Sequence, residues 1–228
     1  MKSLAVPNAG ELELIDVPQP TIGAYDALVR IEACGICNTT DTKVIHGDMF
    51  WAPPFPVLLG HESVGTVVEV GSKVRKFRVG QRVTRPVSSF GSNPELPNPA
   101  FGGFSEYGIV RDAEAMAADG DDTFLTDYNA IRQSVVDAGV DPVRAALCIS
   151  LAETSGTLIN MPAVRGKTVV VAGTGIAGLG FTLWAALAGA SVITLGRRRE
   201  RLDLAQRVGA FGAVDTRDED FVGLIRDL

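Results

Sequence analysis

The sequence predicts an α/β chain, in which a turn-rich β domain, a barrel or a sandwich, is followed by part of a doubly wound parallel sheet. Three observations carry this expectation. Up to about residue 112, short alternating apolar runs are separated by glycine and proline turns. A G-x-G-x-x-G pattern then stands between a strand-like run and a helix. Only three strand-like runs follow that change of character. A composition of 46% hydrophobic and 21% charged residues argues against disorder, and 228 residues suffice for two modest domains.

In the first part, Glu11 to Val17 alternates as a half-buried strand should, and so does Ala27 to Ala33. Gly65 to Gly71 and Gln81 to Thr84 repeat the pattern, while Ser88 to Gly103 reads as a loop rich in Ser, Asn, Pro and Gly. An acidic turn, Asp119-Gly120-Asp121-Asp122, leads into helical patterns around Tyr128 to Ala138 and Pro142 to Asn160. Asp141-Pro142 is a suitable start for the second of these, with a cap followed by proline in the first turn. The domain division falls between residues 149 and 150, and a short linker, 161–166, precedes the glycine loop.

That loop follows the strand Thr168 to Ala172 and opens a helix expected over Phe181 to Ala188. Gly173 permits the tight turn, Gly175 lets the backbone approach a pyrophosphate, and Gly178 allows close helix–strand packing. With Ile176 and Ala177 between them, they form the candidate cofactor loop. Strands over Ser191 to Leu195 and Gly212 to Val214 come next, then a helix over Asp218 to Leu228. An acid at the end of the second strand would hold the ribose 2′-hydroxyl of NAD. Gly196 stands there instead, followed by Arg197 and Arg198, which can pair with a 2′-phosphate, so NADP(H) is expected over NAD(H). The plainer reading makes these arginines the solvated start of the next helix. Thr168 to Leu195 carries no charge, but its strand–helix–strand order argues for a buried unit rather than a membrane span.

Net charge is -6, which disfavours a nucleic-acid or anionic-membrane partner. The three cysteines, Cys34, Cys37 and Cys148, are too few for a disulfide framework and point to a reducing, cytoplasmic setting. Cys37, His61 and Cys148 could supply the three protein ligands of a catalytic zinc. Their spacing leaves that open, since a lone cysteine is often a small core hydrophobe.

Longer motifs sharpen the picture. The opening Met1-Lys2-Ser3-Leu4, the stretch Val17-Pro18-Gln19-Pro20 and the run Ala33 to Cys37 are followed by Gly60-His61-Glu62. Gly71-Ser72-Lys73-Val74, with Phe77, Gly80, Arg82 and Val83, precedes Gly102-Gly103-Phe104-Ser105-Glu106-Tyr107. In this order they resemble the zinc-dependent alcohol dehydrogenase branch of the medium-chain dehydrogenase/reductase family. The resemblance implies a GroES-like catalytic barrel over 1–149 and the N-terminal half of a Rossmann domain over 150–228. It implies zinc on Cys37, His61 and Cys148, with Asp41 and Glu62 orienting the imidazole and tuning the metal. Thr40 is the candidate proton relay, Thr39 the alternative, and Cys34 is expected to pack rather than ligate. The implied substrate is a small alcohol or its carbonyl partner, and the implied assembly is a homo-oligomer.

The chain departs from the pattern in three ways. The run Cys37 to Asp41 is one residue longer than the usual form, the four-cysteine lobe of a structural zinc is absent, and His46 is off the relay position. A complete dinucleotide sheet has six strands in the order 3-2-1-4-5-6, and three are recognisable here. The expectation is therefore that the chain as given has little activity alone and is poorly stable as a monomer. A silent remnant or accessory protein is the alternative to an enzyme, and a zinc-free quinone-reductase-like enzyme a third reading that His61 and Cys148 disfavour.

Overall fold

The computed structural model describes residues 1–90, 95–127, 129–226 and 228. The chain forms two compact units, Met1–Ile149 and Ser150–Leu228.

The first unit contains β1 (Lys2–Val6), β2 (Glu13–Asp16), β3 (Asp26–Gly35), α1 (Thr40–His46), β4 (Val57–Leu58) and β5 (Glu62–Val70). These are followed by β6 (Arg82–Thr84), β7 (Asn98–Pro99), β8 (Tyr107–Arg111), α2 (Ala113–Ala118) and β9 (Val135–Val136). Its five-stranded sheet has the order β8-β3-β5-β6-β9, and a four-stranded sheet has the order β2-β1-β4-β7. A bridge between Ser3 and Ser105 links β1 to the approach to β8. Register shifts at Leu28/Val29 and Ile31/Ala33 interrupt the β3–β5 ladder; such irregularities bend a strand and let a sheet curl. The inward residues Ala27, Val29, Val67, Phe77, Val83 and Val110 make the barrel core.

Asp112 ties the barrel together at one end. It is fully buried, and its Oδ1 accepts from the Ala115 amide at 2.9 Å as the cap of α2. Its Oδ2 accepts from the amides of Arg75 and Lys76, each at 2.7 Å. Burial opposes its charge, but the three amides hold its carboxyl below the usual carboxylate range.

The helix expected over 128–138 is not formed. Tyr128 lies outside the described residues; a single 3-10 turn spans Ala130–Arg132, and Val135–Val136 is strand β9. Asp127 accepts from the amides of Asn129 and Ala130, which closes a local turn. Gln133 is only 2% exposed and donates to the carbonyls of Arg85 and Ile109. That anchor delivers Val135 opposite Val83 on β6, so pairing with the barrel edge overrides the local helical pattern. By contrast α3 runs over Pro142–Ile159, close to its expected bounds. Ala145, Ala146 and Ile149 on it pack against Val64.

The second unit holds β10 (Thr168–Ala172), α4 (Ile176–Leu187), β11 (Ser191–Gly196), α5 (Arg199–Arg207), β12 (Gly212–Asp215) and α6 (Phe221–Arg226). Its strands are parallel in the order β10-β11-β12. Strand β10 is at the edge, and Val170 on it is 49% exposed. Val171, Ala185 and Val192 form the core between sheet and helix. A buried hydroxyl pair, Thr182 and Thr194 at 2.8 Å, fastens α4 to β11. Helix α4 starts at Ile176, five residues before the expected Phe181. The glycines that obscured its pattern are packing residues. A Cβ on Gly178 would strike the Gly173 carbonyl, and one on Gly180 would lie 2.6 Å from Thr154 Oγ1.

Candidate active site

Strand β3 ends at Gly35, and the next two residues lead to Cys37, just before α1. Strand β5 begins at Glu62, directly after His61. The pairing Gly35↔Glu62 therefore lays the two segments side by side. Gly35 is required there, because the Glu62 carboxylate occupies the place its Cβ would take. Gly60, at φ +93°, turns His61 inward; a Cβ on it would sit 2.5 Å from the Phe104 amide nitrogen. The Gly103 amide donates to the Gly60 carbonyl at 2.7 Å, and a Cβ on Gly103 would lie 2.6 Å from that oxygen. Gly60 and Gly103 thus serve one backbone contact, which leaves no room for side chains.

The result is a cluster of Cys37, His61 and Glu62 whose ligand atoms all lie within 4.8 Å of one another. His61 and Glu62 are buried, and Cys37 is half-buried. Asp41, on α1 and 5% exposed, stands behind them. Its Oδ2 accepts from the Cys37 amide at 2.9 Å, and its Oδ1 is 3.4 Å from His61 Nδ1. That approach is too poorly aligned for a hydrogen bond, and Nδ1 is buried with no other partner. Phe101 lies against the imidazole with ring centroids 5.0 Å apart, and Trp51 meets Phe101 edge-on at 5.4 Å. These rings give the cluster an apolar wall.

Cys37 and His61 form a thiolate–imidazolium pair beside Asp41. His61 contributes most to lowering the Cys37 thiol to about 7, against its burial, and Thr39 and Thr40 assist. The Thr40 amide is 3.5 Å from the sulfur. Burial opposes the His61 imidazolium, but Asp41 and Cys37 together raise it to about 9. Cys34 differs: burial pushes its thiol up to about 12, and its sulfur bonds the Gly35 carbonyl at 3.6 Å.

The expected residues divide clearly. Cys37, His61, Asp41, Glu62 and Thr40 come together, whereas Cys34 stays outside the donor cluster and His46 and Thr39 are exposed. Cys148 does not join either. It is exposed on α3, the helix that turns Ala145, Ala146 and Ile149 toward Val64. The third donor brought within reach is Glu62, expected from the resemblance to orient the imidazole instead. A glutamate adjacent to a candidate ligand histidine at a strand start was the available signal.

In the second unit, Gly173, Thr174, Gly175, Gly196, Arg197, Arg198 and Arg217 line an open hollow of about 540 Å³. Ile176 and Ala177 form the exposed first turn of α4 beside it. Gly196 is buried, and a Cβ there would stand 2.5 Å from Thr174 Cγ2 and 2.9 Å from its Oγ1. The bare end of β11 is thus imposed by packing as well as by sequence. Arg199 is tied to Asp203 at 3.0 Å. Arg197 and Arg198, both exposed, form no ion pair among the described residues. Arg217 was not anticipated; its place just past a parallel strand, where ligands of such sheets bind, was the signal.

Comparison with known proteins agrees with this architecture. Residues 23–119 match the alcohol dehydrogenase GroES-like domain. The chain is 31% identical to an alcohol dehydrogenase of Geobacillus stearothermophilus, an alignment covering 95% of this chain and 63% of that protein. A sorbitol dehydrogenase of Halalkalibacterium halodurans is 29% identical over 97% of this chain and 64% of its own length. Among solved structures, one described as a zinc-binding dehydrogenase of Sinorhizobium meliloti 1021 bound to NADP superposes with a TM-score of 0.74. It is 31% identical, with 97% of this chain and 63% of that chain covered. The chain is thus similar along nearly its whole length to the alcohol dehydrogenase-like branch of the medium-chain dehydrogenase/reductase family, with a GroES-like barrel followed by part of a Rossmann domain. It spans a little under two thirds of the length of these relatives. Among the described residues, no helix is long and apolar enough to cross a membrane.

Proposed function

We propose that this chain carries the metal-holding and adenosine-binding parts of a zinc-dependent oxidoreductase that interconverts an alcohol with an aldehyde or ketone, using NADP(H). Residues 1–149 are the catalytic domain and 150–228 the first half of the nucleotide-binding domain. The observation that carries the reading is the convergence of thiol, imidazole and carboxylate within 4.8 Å. That donor set suits zinc. The buried Nδ1 facing Asp41 has the place of the ring nitrogen that a ligating histidine turns to a carboxylate.

Cys37 and His61 would hold the metal together with Glu62, and zinc there would supply Lewis-acid polarisation of the substrate oxygen. Asp41 faces the imidazole and, by accepting from the Cys37 amide, fixes the turn that presents the thiol. Thr40 is the hydroxyl that relays the alcohol proton. Phe101 and Trp51 keep water from one side of the site. In the other unit, the glycine loop and the α4 N-terminus receive the pyrophosphate, and Arg197 and Arg198 receive the 2′-phosphate. The substrate is a small alcohol or carbonyl compound, the assembly a homo-oligomer and the setting a reducing cytoplasm. Zinc content per chain, measured after exhaustive dialysis, tests the metal reading. Less than about 0.2 zinc per chain after reconstitution, against the single ion a catalytic site holds, refutes it.

A further inference from the structure

Strand β12 pairs with β11 so that Asp215 lies opposite Gly196. The chain then turns under two bonds to the Gly196 carbonyl, from the Thr216 amide at 2.8 Å and the Thr216 hydroxyl at 3.3 Å. This turn carries Arg217 to the rim of the hollow at the end of β11. Its guanidinium is held by Asp215 through two atoms, Nε to Oδ1 at 3.0 Å and Nη2 to Oδ2 at 2.5 Å. The Arg217 amide also donates to Asp215 Oδ1 at 2.9 Å. A two-point grip of this kind fixes the plane of an arginine, and Nη1 takes no part in it.

The charges around the hollow are one-sided. Arg197, Arg198 and Arg217 line it, and among the described residues no carboxylate does. Asp215 is already satisfied by Arg217, so these four residues keep two positive charges in excess (three arginines less one aspartate). A phosphate monoester carries about -1.5 to -2 at pH 7. No side chain at 196 contests the space, because Thr174 lies where a Cβ would be.

We infer that Arg217, oriented by Asp215, is a specificity-determining residue that selects adenosine nucleotides bearing a phosphate on the ribose 2′-oxygen. This rests on the nucleotide site proposed above, and it adds a third cation from a different strand to the two that follow β11. An arginine held in place by a carboxylate loses less freedom on meeting phosphate than the two unanchored ones. Most of the discrimination is therefore assigned to Arg217.

The test needs only the adenosine half of the cofactor. Calorimetric titration of the full chain with adenosine 2′,5′-bisphosphate and with adenosine 5′-monophosphate measures the preference directly. The bisphosphate is expected to bind at least about tenfold tighter, as one charge-assisted phosphate contact allows. Arg217→Ala should remove most of that preference and leave the monophosphate affinity unchanged, while Arg217→Lys, which keeps the charge but loses the two-point grip of Asp215, should restore part of it. Arg217 is exposed on the rim, with 64% of its side chain accessible, so the variants can be matched for folding by circular dichroism. Equal losses for both nucleotides, or an undiminished preference in Arg217→Ala, overturn the inference while leaving the nucleotide site standing. Failure of both nucleotides to bind the parent chain overturns the inference and the nucleotide site together.

Discussion

Replacing Gly196 with alanine tests whether packing, as well as sequence, keeps the end of β11 bare. The added Cβ would sit 2.5 Å from Thr174 Cγ2, 2.9 Å from Thr174 Oγ1 and 3.3 Å from Leu202 Cδ2. The first two separations are below any ordinary carbon contact, and Thr174 is only 7% exposed, so it cannot swing into solvent. Overpacking of this kind costs about 1–3 kcal/mol. Gly196 does not have a positive φ, so restricting the unfolded chain returns about 0.4–1 kcal/mol. The expected net loss is about 0.5–2 kcal/mol. Thr174→Ala deletes both offending atoms; in that background Gly196→Ala should be neutral or slightly stabilising. The two changes should therefore couple favourably by about 1–3 kcal/mol in a double-mutant cycle. The chain has two tryptophans. In a Trp51→Phe background, urea unfolding followed by fluorescence reads Trp184, whose indole donates to the Leu151 carbonyl within the same unit. Coupling smaller than about 0.5 kcal/mol, the usual error of additivity, would refute the steric account. The functional corollary is that Gly196→Asp shifts preference toward NADH only when Thr174→Ala accompanies it.

Three further outcomes are expected. Cys37→Ser and His61→Asn should each abolish zinc retention measured by elemental analysis, and Cys148→Ser should leave it unchanged; loss of metal in Cys148→Ser would restore Cys148 as a ligand in place of Glu62. Gly60→Ala should cost at least about 2–3 kcal/mol, from a left-handed backbone and a clash with the Phe104 amide, and should release bound zinc; a variant as stable as the parent contradicts the close approach of 60 and 103. Asp112→Ala strands one buried amide donor, worth about 1–3 kcal/mol, and two part-buried ones worth less each, and should cost about 3–5 kcal/mol in all. Because its carboxyl is held below the usual range, the stability it adds is complete above about pH 4 and is lost as pH falls through its folded value. A flatter acid limb for Asp112→Asn than for the parent, in urea melts from pH 5 to lower values, checks the sign.

Much of the architecture was legible because its signals are local. The β-branched run Val169-Val170-Val171 and the glycines after it identify strand β10 and the turn following it from adjacent residues alone. Proline at 142 behind Asp141 marks the start of α3 in the same way; the Asp141 carboxylate accepts from the amides of Val143 and Arg144. His61 and Cys37 were also legible as candidate ligands, since each sits in a short run whose glycines, Gly60 and Gly35, are needed for backbone or side-chain contact. Contacts between distant segments were not legible. The 128–138 stretch has a helical pattern, yet Gln133 bonded to Arg85 and Ile109 makes it a barrel edge, a choice that depends on residues 24 and 48 positions away. Glu62 rather than Cys148 completes the donor cluster because the Gly35↔Glu62 pairing sets that carboxylate beside Cys37, while α3 leaves Cys148 exposed. Arg217 reaches the hollow only through the parallel register of β11 with β12 and the grip of Asp215. Sequence by itself determined which residues could ligate, turn and bind phosphate, because those capacities belong to single side chains and their neighbours. Only the tertiary structure decided which of them meet, because register and packing are set by the whole chain.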